Sequence, residues 1–214
     1  MMWRRRLLPD PVIGIGLILA FACFGWTFRG PRSRFWQRMT RTGLVLGGLA
    51  LATDSQLRRP RFGPRDVALG LGSAGALYGV FQLGDRLARR ILPRGGAEIS
   101  AIYGLEQLRP RRELAARLGF IIGPAEELFW RGLVQARLAR QFGTLPGFVM
   151  GTAAYGGAHL VASNLTLIAA ATVAGAFWGG LSALGAPMGA LIVSHAVWDV
   201  FTFLVAPTAG RSEA

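Results

Sequence analysis

The residues best suited to chemistry in this chain are five ionisable side chains in its second half. Between positions 114 and 211 the chain has three acidic residues and both of its histidines, namely Glu126, Glu127, Asp199, His159 and His195. Carboxylates and imidazoles are the groups with which proteins move protons and hold divalent metals. All five lie within apolar segments, where an ionisable residue is by default a candidate for a functional site.

The stretch GPAEELFWRG, residues 123–132, places three charges within one apolar segment. Glu127 and Arg131 are four residues apart, in the order that favours an ion pair on one face of a helix. Glu126 points about 100° away from Glu127 around the same helix. We therefore expect Arg131 to neutralise Glu127 and to leave Glu126 free as a general base or acid. For Glu127 and Arg131, a stabilising bridge without chemistry is an equally good interpretation.

The two histidines lie in separate apolar segments that a bundle can bring together. In YGGAHL, small residues precede His159 and allow a partner helix to approach closely. In SHAVWDV, His195 and Asp199 are four residues apart and share a helix face. Because a membrane crossing takes about 20 residues, one crossing out and one back place both histidines at similar depth. Glu126 can join this group, which would then bind a divalent metal or activate a water directly.

The composition predicts that these groups lie in a membrane. The chain has 214 residues, of which 52% are hydrophobic and 16% charged, and this charged share is about two thirds of that in a soluble domain. The 30 glycines indicate close helix contacts. We predict an all-α, polytopic transmembrane helical bundle of about six to eight spans. Apolar segments lie near residues 11–28, 66–83, 117–137, 147–163, 164–182 and 186–206, and a shorter one near 42–53.

The positive charge of the chain indicates lipid rather than nucleic acid. The net charge is +13, and every basic residue other than the two histidines is an arginine. These arginines occur in short segments between apolar runs, where they can meet anionic lipid headgroups and set topology. We therefore predict membrane lipids as partners and no nucleic acid. A modest arginine excess after the first and third spans favours a cytoplasmic position for those loops.

Composition also divides the chain, within one integrated membrane domain. Residues 1–113 are predicted to hold N-terminal transmembrane helices and, from position 84, an amphipathic connector of mixed charge. Residues 114–206 form the helical core that carries the polar motifs, and residues 207–214 a C-terminal tail. The basic start and apolar run of the N-terminus also fit a secretory signal, but the long apolar run favours a retained first helix.

Three ordered motifs resemble a known family. They are Glu-Glu-x-x-x-Arg in EELFWR, an aromatic residue four before histidine in YGGAH, and His-x-x-x-Asn/Asp in HAVWD. Together they resemble the CPBP intramembrane proteases, which include the type II CAAX prenyl endopeptidase and relatives linked to bacteriocin processing and self-immunity. The resemblance covers about residues 114–206. It implies an endopeptidase in a membrane, in bacteria the inner (plasma) membrane, acting on a membrane-associated protein or peptide.

The resemblance also implies roles for the matched residues. Glu126 and His159 would activate the attacking water, and His195 and Asp199 would bind or polarise the scissile carbonyl. The remaining pair, Glu127 with Arg131, would support the site structurally.

Two residues depart from the family pattern. Tyr155 stands where phenylalanine is common, and its added hydroxyl needs a partner. Asp199 stands where the prenyl endopeptidases carry asparagine. An ionised aspartate cannot donate a hydrogen bond to an oxyanion, so Asp199 would have to be protonated, orient His195 or ligate a metal. This departure weakens the implied prenyl-protein specificity more than the implied proteolysis.

The sequence leaves the metal question and two other function classes open. Glu126, His159 and His195 would suffice as zinc ligands, with Asp199 as a fourth ligand or behind them. No H-E-x-x-H motif supports zinc, so we slightly favour chemistry without a required metal. A non-catalytic scaffold or immunity-type binding protein is the first alternative. A proton-coupled transporter fits less well, because the polar residues occur in the second half alone rather than in corresponding halves.

Overall fold

The chain folds as a bundle of helices. The computed structural model describes residues 10–92 and 94–207, and over these ranges it contains helices and connecting turns but no strand. The all-α prediction is thus confirmed. The basic start at residues 1–9 and nearly all of the predicted tail lie outside the described residues.

Ten α-helices follow one another along these ranges. They are α1 (Pro11–Phe28), α2 (Phe35–Thr53), α3 (Pro64–Ile91), α4 (Gly95–Tyr103), α5 (Arg111–Arg117), α6 (Gly123–Glu127), α7 (Ala136–Phe142), α8 (Thr144–Ala158), α9 (Leu165–Ala183) and α10 (Met188–Val200). Two π-helical segments, Leu118–Ile122 and Leu128–Gln135, join α5, α6 and α7 into one continuous rod, and a third, Phe201–Val205, extends α10. We call the first of these the α5–α7 rod.

Local sequence explains where several helices begin and end. The Asp10 carboxylate accepts a hydrogen bond from the Val12 N–H at 2.9 Å, and Pro11 occupies the first turn of α1. This is a favourable start, because a capping carboxylate satisfies an otherwise unpaired N–H and proline has none to lose. Asn164 caps α9 in the same way, accepting from the Leu167 N–H at 2.7 Å. Gly143, at φ 99°, supplies the left-handed turn between α7 and α8.

Four of the described helical segments are long and apolar enough to cross a membrane: Pro11–Phe28, Pro64–Ile91, Leu165–Ala183 and Met188–Val205. The other predicted spans differ for physical reasons. Helix α2 has 19 residues but begins with a polar, arginine-bearing turn, and α8 has only 15 residues. The α5–α7 rod carries ionisable residues and turns them towards protein. The predicted count of six to eight spans therefore exceeds the four candidate spans found among the described residues.

Contacts at one end of the bundle join the region around the start of α2 to the predicted connector. Arg32 Nη2 donates to the Ala101 carbonyl at 2.9 Å, and Trp36 Nε1 donates to the Leu105 carbonyl at 2.7 Å. These bonds connect the start of α2 with the predicted connector. We call this the connector end.

At the opposite end, one arginine ties three helices together. Arg137 in α7 donates to the Asp10 carboxylate at 2.7 Å and to the Thr53 carbonyl at 3.1 Å. The α5–α7 rod is thereby fastened to the start of α1 and the end of α2.

Helix α4, which lies in the predicted connector, is fastened to the start of α9 by partly buried hydrogen bonds. The Glu98 carboxylate accepts hydrogen bonds from the Thr166 hydroxyl at 2.7 Å and the Thr166 N–H at 2.8 Å. These two donors hold the pKa of Glu98 below its usual range. The predicted amphipathic connector is thus ordered: its first residues continue α3, and α4 follows.

Helices α3 and α10 approach each other closely at Gly70. A Cβ atom there would lie 2.6 Å from Val193 Cβ and 2.9 Å from the Ala190 carbonyl oxygen. Glycine permits such close packing of apolar helices, as its abundance in the sequence indicated.

We expect Gly70→Ala to destabilise the protein by about 1–3 kcal/mol, because the added methyl group overpacks the contact with Val193. Gly72→Ala is the matched control, since a Cβ at Gly72 meets no atom within 4 Å. Thermal unfolding in detergent should show a lower midpoint for the first variant and an equal or higher midpoint for the second. Equal midpoints for Gly70→Ala and wild type would contradict this packing.

Candidate active site

The α5–α7 rod carries both adjacent glutamates into the bundle interior. Glu126 and Glu127 close the short helix α6, which lies between two π-helical segments. Glu126 is 5% exposed, Glu127 is fully buried and Arg131 is 2% exposed. Burying ionisable groups in this way requires a partner for each of them. The π-helical turns are the kind of local irregularity that often occurs beside functional sites.

The predicted ion pair between Glu127 and Arg131 is present. Arg131 Nη1 donates to Glu127 Oε1 at 3.0 Å. The other terminal nitrogen, Nη2, faces the main-chain carbonyl oxygens of Gly175 at 3.3 Å and Ala174 at 3.5 Å. Arg131 therefore connects the α5–α7 rod to the middle of α9 while it compensates the charge of Glu127.

Glu127 has a second partner that the sequence did not reveal. Its Oε1 atom lies 2.7 Å from His195 Nδ1, so the same oxygen contacts both Arg131 and His195. The His195 ring stacks on Trp178, with centroids 3.8 Å apart and an interplanar angle of 18°. These contacts fix the imidazole and turn its other nitrogen, Nε2, towards Asp199 Oδ2 at 3.7 Å. This last separation is an ion-pair distance and is too long for a hydrogen bond.

The sequence interpretation expected Glu126 to be free, but the structure gives it a partner. The Tyr155 hydroxyl donates a hydrogen bond to Glu126 Oε2 at 2.7 Å, and both groups are buried. The prediction of an unpartnered carboxylate was therefore wrong. The physical reason is the burial itself, because a carboxylate removed from water is stabilised by a donor. That donor lies in α8, where spacing rules within one helix cannot find it.

His159 lies at the C-terminal end of α8 with one ring nitrogen already bonded. Its Nδ1 atom is 2.9 Å from the Tyr155 carbonyl oxygen. Because a carbonyl oxygen only accepts, Nδ1 carries the hydrogen and a neutral ring keeps Nε2 as an acceptor. The ring packs edge-on against Phe24 of α1, with centroids 4.9 Å apart. His159 is therefore oriented by its own helix and by the N-terminal half of the chain.

One cavity of about 330 Å³ collects the polar groups of the second half. Its wall includes Glu126, Tyr155, His159, His195 and Asp199. The structure thus brings together all four residues predicted to do chemistry, on three different helical segments. Glu127 and Arg131 are not on this wall and support it from behind. Most of the other lining side chains are apolar, and Phe28, Trp36, Phe81 and Ile102 show that α1 to α4 complete the cavity.

Two residues of the site were missed by sequence reasoning. Trp178 Nε1 donates to Ser194 Oγ at 3.0 Å, so the ring that stacks on His195 is itself held by the residue before His195. Ser73 Oγ of α3 lies 3.0 Å from the same hydroxyl. Ser194 was visible as a polar residue beside His195 in an apolar segment. Trp178 had no such signal, because its neighbours in α9 are small or apolar.

The proposed zinc ligands do not form a metal-binding set in this arrangement. Across residues 10–92 and 94–207, no group of three or more His, Cys, Asp or Glu side chains could hold a metal ion. Glu126 accepts from Tyr155, and the Nδ1 atoms of His159 and His195 are each bonded.

Comparison with known proteins gives one match. Residues 113–201 match the family model described as Rce1-like, type II CAAX prenyl endopeptidase Rce1-like. No curated protein and no solved structure matches the chain. The matched segment contains Glu126, His159, His195 and Asp199.

We expect Arg131→Ala to destabilise the protein by about 3–5 kcal/mol, because it leaves the Glu127 charge buried without its cation. Arg109→Ala is the control, since Arg109 forms a partly exposed pair with Glu113 at 3.7 Å. Its loss should cost less than about 1 kcal/mol. Chemical or thermal unfolding in detergent measures both values. Similar stabilities for the two variants would contradict a compensating role for Arg131.

Proposed function

We propose that the protein is an intramembrane endopeptidase, because residues 113–201 match the Rce1-like family model of type II CAAX prenyl endopeptidases. Its substrate is a membrane-associated protein or peptide. The observation that carries the proposal is the single cavity whose mostly apolar wall holds Glu126, His159, His195 and Asp199. Such a cavity can take in a peptide segment, exclude bulk water and present acid–base groups to one bond.

In the proposed reaction, Glu126 and His159 activate a water molecule. Tyr155 occupies Oε2 of Glu126, so Oε1 is the oxygen that takes the proton from water. His159 Nε2 accepts a second hydrogen bond from the same water and orients it, because Nδ1 is bonded to the main chain. The water oxygen attacks the carbonyl carbon. Glu126 then gives the proton to the leaving amine nitrogen as the C–N bond breaks.

His195 is the proposed donor to the carbonyl oxygen. Asp199, where the family's prenyl endopeptidases carry asparagine, cannot donate a hydrogen bond when ionised. A protonated His195 can, since Nδ1–H points at Glu127 and Nε2–H remains for the oxyanion. In that state Glu127 balances Arg131 and Asp199 balances His195, which leaves the Glu126 carboxylate, with its hydrogen bond from Tyr155, as the remaining buried charge. Asp199 thus supports His195 electrostatically instead of contacting the oxyanion as a donor.

The proposed site faces one side of the membrane. The cavity reaches the connector end, because Trp36 and Leu105 both line it and bond to each other there. This end includes the arginine-rich loop after α1 and the arginines at the end of α3. Arginine-rich segments beside spanning helices favour the cytoplasmic side and anionic headgroups. We therefore propose that cleavage takes place at the cytoplasmic leaflet. That the membrane is a bacterial inner membrane is a prediction from the family resemblance.

We expect Glu126→Gln and His159→Gln to reduce cleavage by about 100- to 10,000-fold, the usual contribution of a general base. Glu126→Gln retains an oxygen that accepts from Tyr155, so it removes the base while keeping the contact. Cleavage is measured by comparing protein termini in membranes that contain wild type or Glu126→Gln. A quenched fluorescent peptide across the new terminus then gives kcat and KM.

Glu113→Gln is the matched control, because Glu113 lies on the same rod but pairs at the surface with Arg117. It should cleave like wild type. Unchanged cleavage in Glu126→Gln or His159→Gln would contradict the proposed mechanism. A different result is that the comparison finds no protein terminus that requires Glu126, while the variants alter only partner binding or stability. That result would favour a non-catalytic scaffold over a protease.

We expect the purified protein to cleave the same peptide fully when it contains no bound metal, because the three predicted zinc ligands do not form a metal set. Metal content is measured by elemental mass spectrometry before and after chelation. Loss of activity on chelation that zinc restores would show that the ligands rearrange around a metal.

A further inference from the structure

Tyr155 contacts both members of the proposed water-activating pair. Its hydroxyl donates to Glu126 Oε2 at 2.7 Å, and its carbonyl oxygen accepts from His159 Nδ1–H at 2.9 Å. We propose that Tyr155 is the positioning residue that sets Glu126 and His159 in register for one water. This inference rests on the proposed function, and the contact with Glu126 is the part of the role that the common phenylalanine cannot fill.

The Tyr155 ring is held rigidly enough to position another group. The guanidinium carbon of Arg131 lies 4.8 Å from the ring centroid, and the Trp130 ring meets it edge-on at 5.3 Å. On a further side, a Cβ at Gly175 would lie only 2.9 Å from Tyr155 Cδ1, so the glycine makes room for the ring. A side chain confined by such contacts loses little further freedom when it orients a neighbour.

The hydrogen bond from Tyr155 determines which carboxylate oxygen is available. A glutamate side chain has several rotatable bonds and can present either oxygen to the cavity. With Oε2 bonded to the hydroxyl, Glu126 presents Oε1 in one orientation. Correct orientation of a catalytic group accounts for a large share of the rate enhancement by enzymes.

The main-chain carbonyl of Tyr155 orients His159, the other member of the water-activating pair. Residues 155 and 159 are one helical turn apart, so the imidazole of His159 reaches back to the Tyr155 carbonyl. A phenylalanine at this position would retain that carbonyl and the ring packing. Only the bond to Glu126 would be lost. Tyr155→Phe therefore removes one half of the positioning role and leaves the other intact.

We expect Tyr155→Phe to lower kcat about ten- to hundredfold, the range spanned by hydrogen bonds to ionised groups, with KM within about twofold of wild type. KM is unchanged because Tyr155 acts on Glu126 and not on the substrate. The measurement uses the quenched fluorescent peptide across the cleavage site that wild type produces. Peptide binding to Glu126→Gln, with and without Tyr155→Phe, should give equal affinities.

Tyr78→Phe is the matched control. It removes a tyrosine hydroxyl that contacts Gln82 in α3, away from the cavity wall, and kcat should not change. Thermal unfolding of Tyr155→Phe shows whether the variant is folded, and a second variant, Tyr155→Leu, removes the ring packing as well. Tyr155→Leu should lose stability in addition to rate.

Three other results would overturn either the positioning role of Tyr155 or the proposed function. A wild-type kcat in folded Tyr155→Phe would overturn the positioning role. A raised KM with unchanged kcat would also overturn it, because Tyr155 would then be contacting the substrate. If wild type shows no cleavage that depends on Glu126, the proposed function fails, whatever the behaviour of Tyr155.

Discussion

The rest of this site depends on the compensation of one buried carboxylate, that of Glu127. Its Oε1 atom contacts Arg131 at 3.0 Å and His195 at 2.7 Å, so one oxygen joins the α5–α7 rod to α10 directly and to α9 through Arg131. In an apolar interior each of these charges would be costly alone. Their mutual contacts offset part of that cost and also fix the orientation of His195. The groups that stabilise the interior therefore determine the geometry of the cavity wall.

The sequence was informative wherever partners share one helix. The Glu127–Arg131 pair follows from a spacing of four residues, and the same spacing places Asp199 beside His195. The apolar segments and abundant glycine indicated a helical bundle. The distance along the chain between His159 and His195 was enough to expect similar depth. The structure shows both pairs that the spacing predicts, and it places His159 and His195 on the wall of one cavity.

Sequence reasoning failed where partners come from different helices. Glu126 and Tyr155 are 29 residues apart, and Glu127 and His195 are 68 apart. No periodicity specifies which helices become neighbours, so neither hydrogen bond could be predicted. The hydroxyl of Tyr155 did signal that a partner was required, without indicating which one. The contribution of α1 to α4 to the cavity carried no signal, because apolar side chains that line a cavity resemble those that fill a core.

Aspartate in place of asparagine at position 199 is consistent with the proposed reaction when its charge is considered together with those of Glu127, Arg131 and His195. In the proposed mechanism, an asparagine there would donate a neutral hydrogen bond and leave the protonated His195 in contact with Glu127 alone, an anion already shared with Arg131. An aspartate supplies a second anion at 3.7 Å from His195 Nε2. The imidazolium is then compensated from both sides, and its Nε2–H faces the cavity. In the proposed mechanism, exchanging a donor for an anion at this position transfers the donating role to the histidine instead of abolishing it.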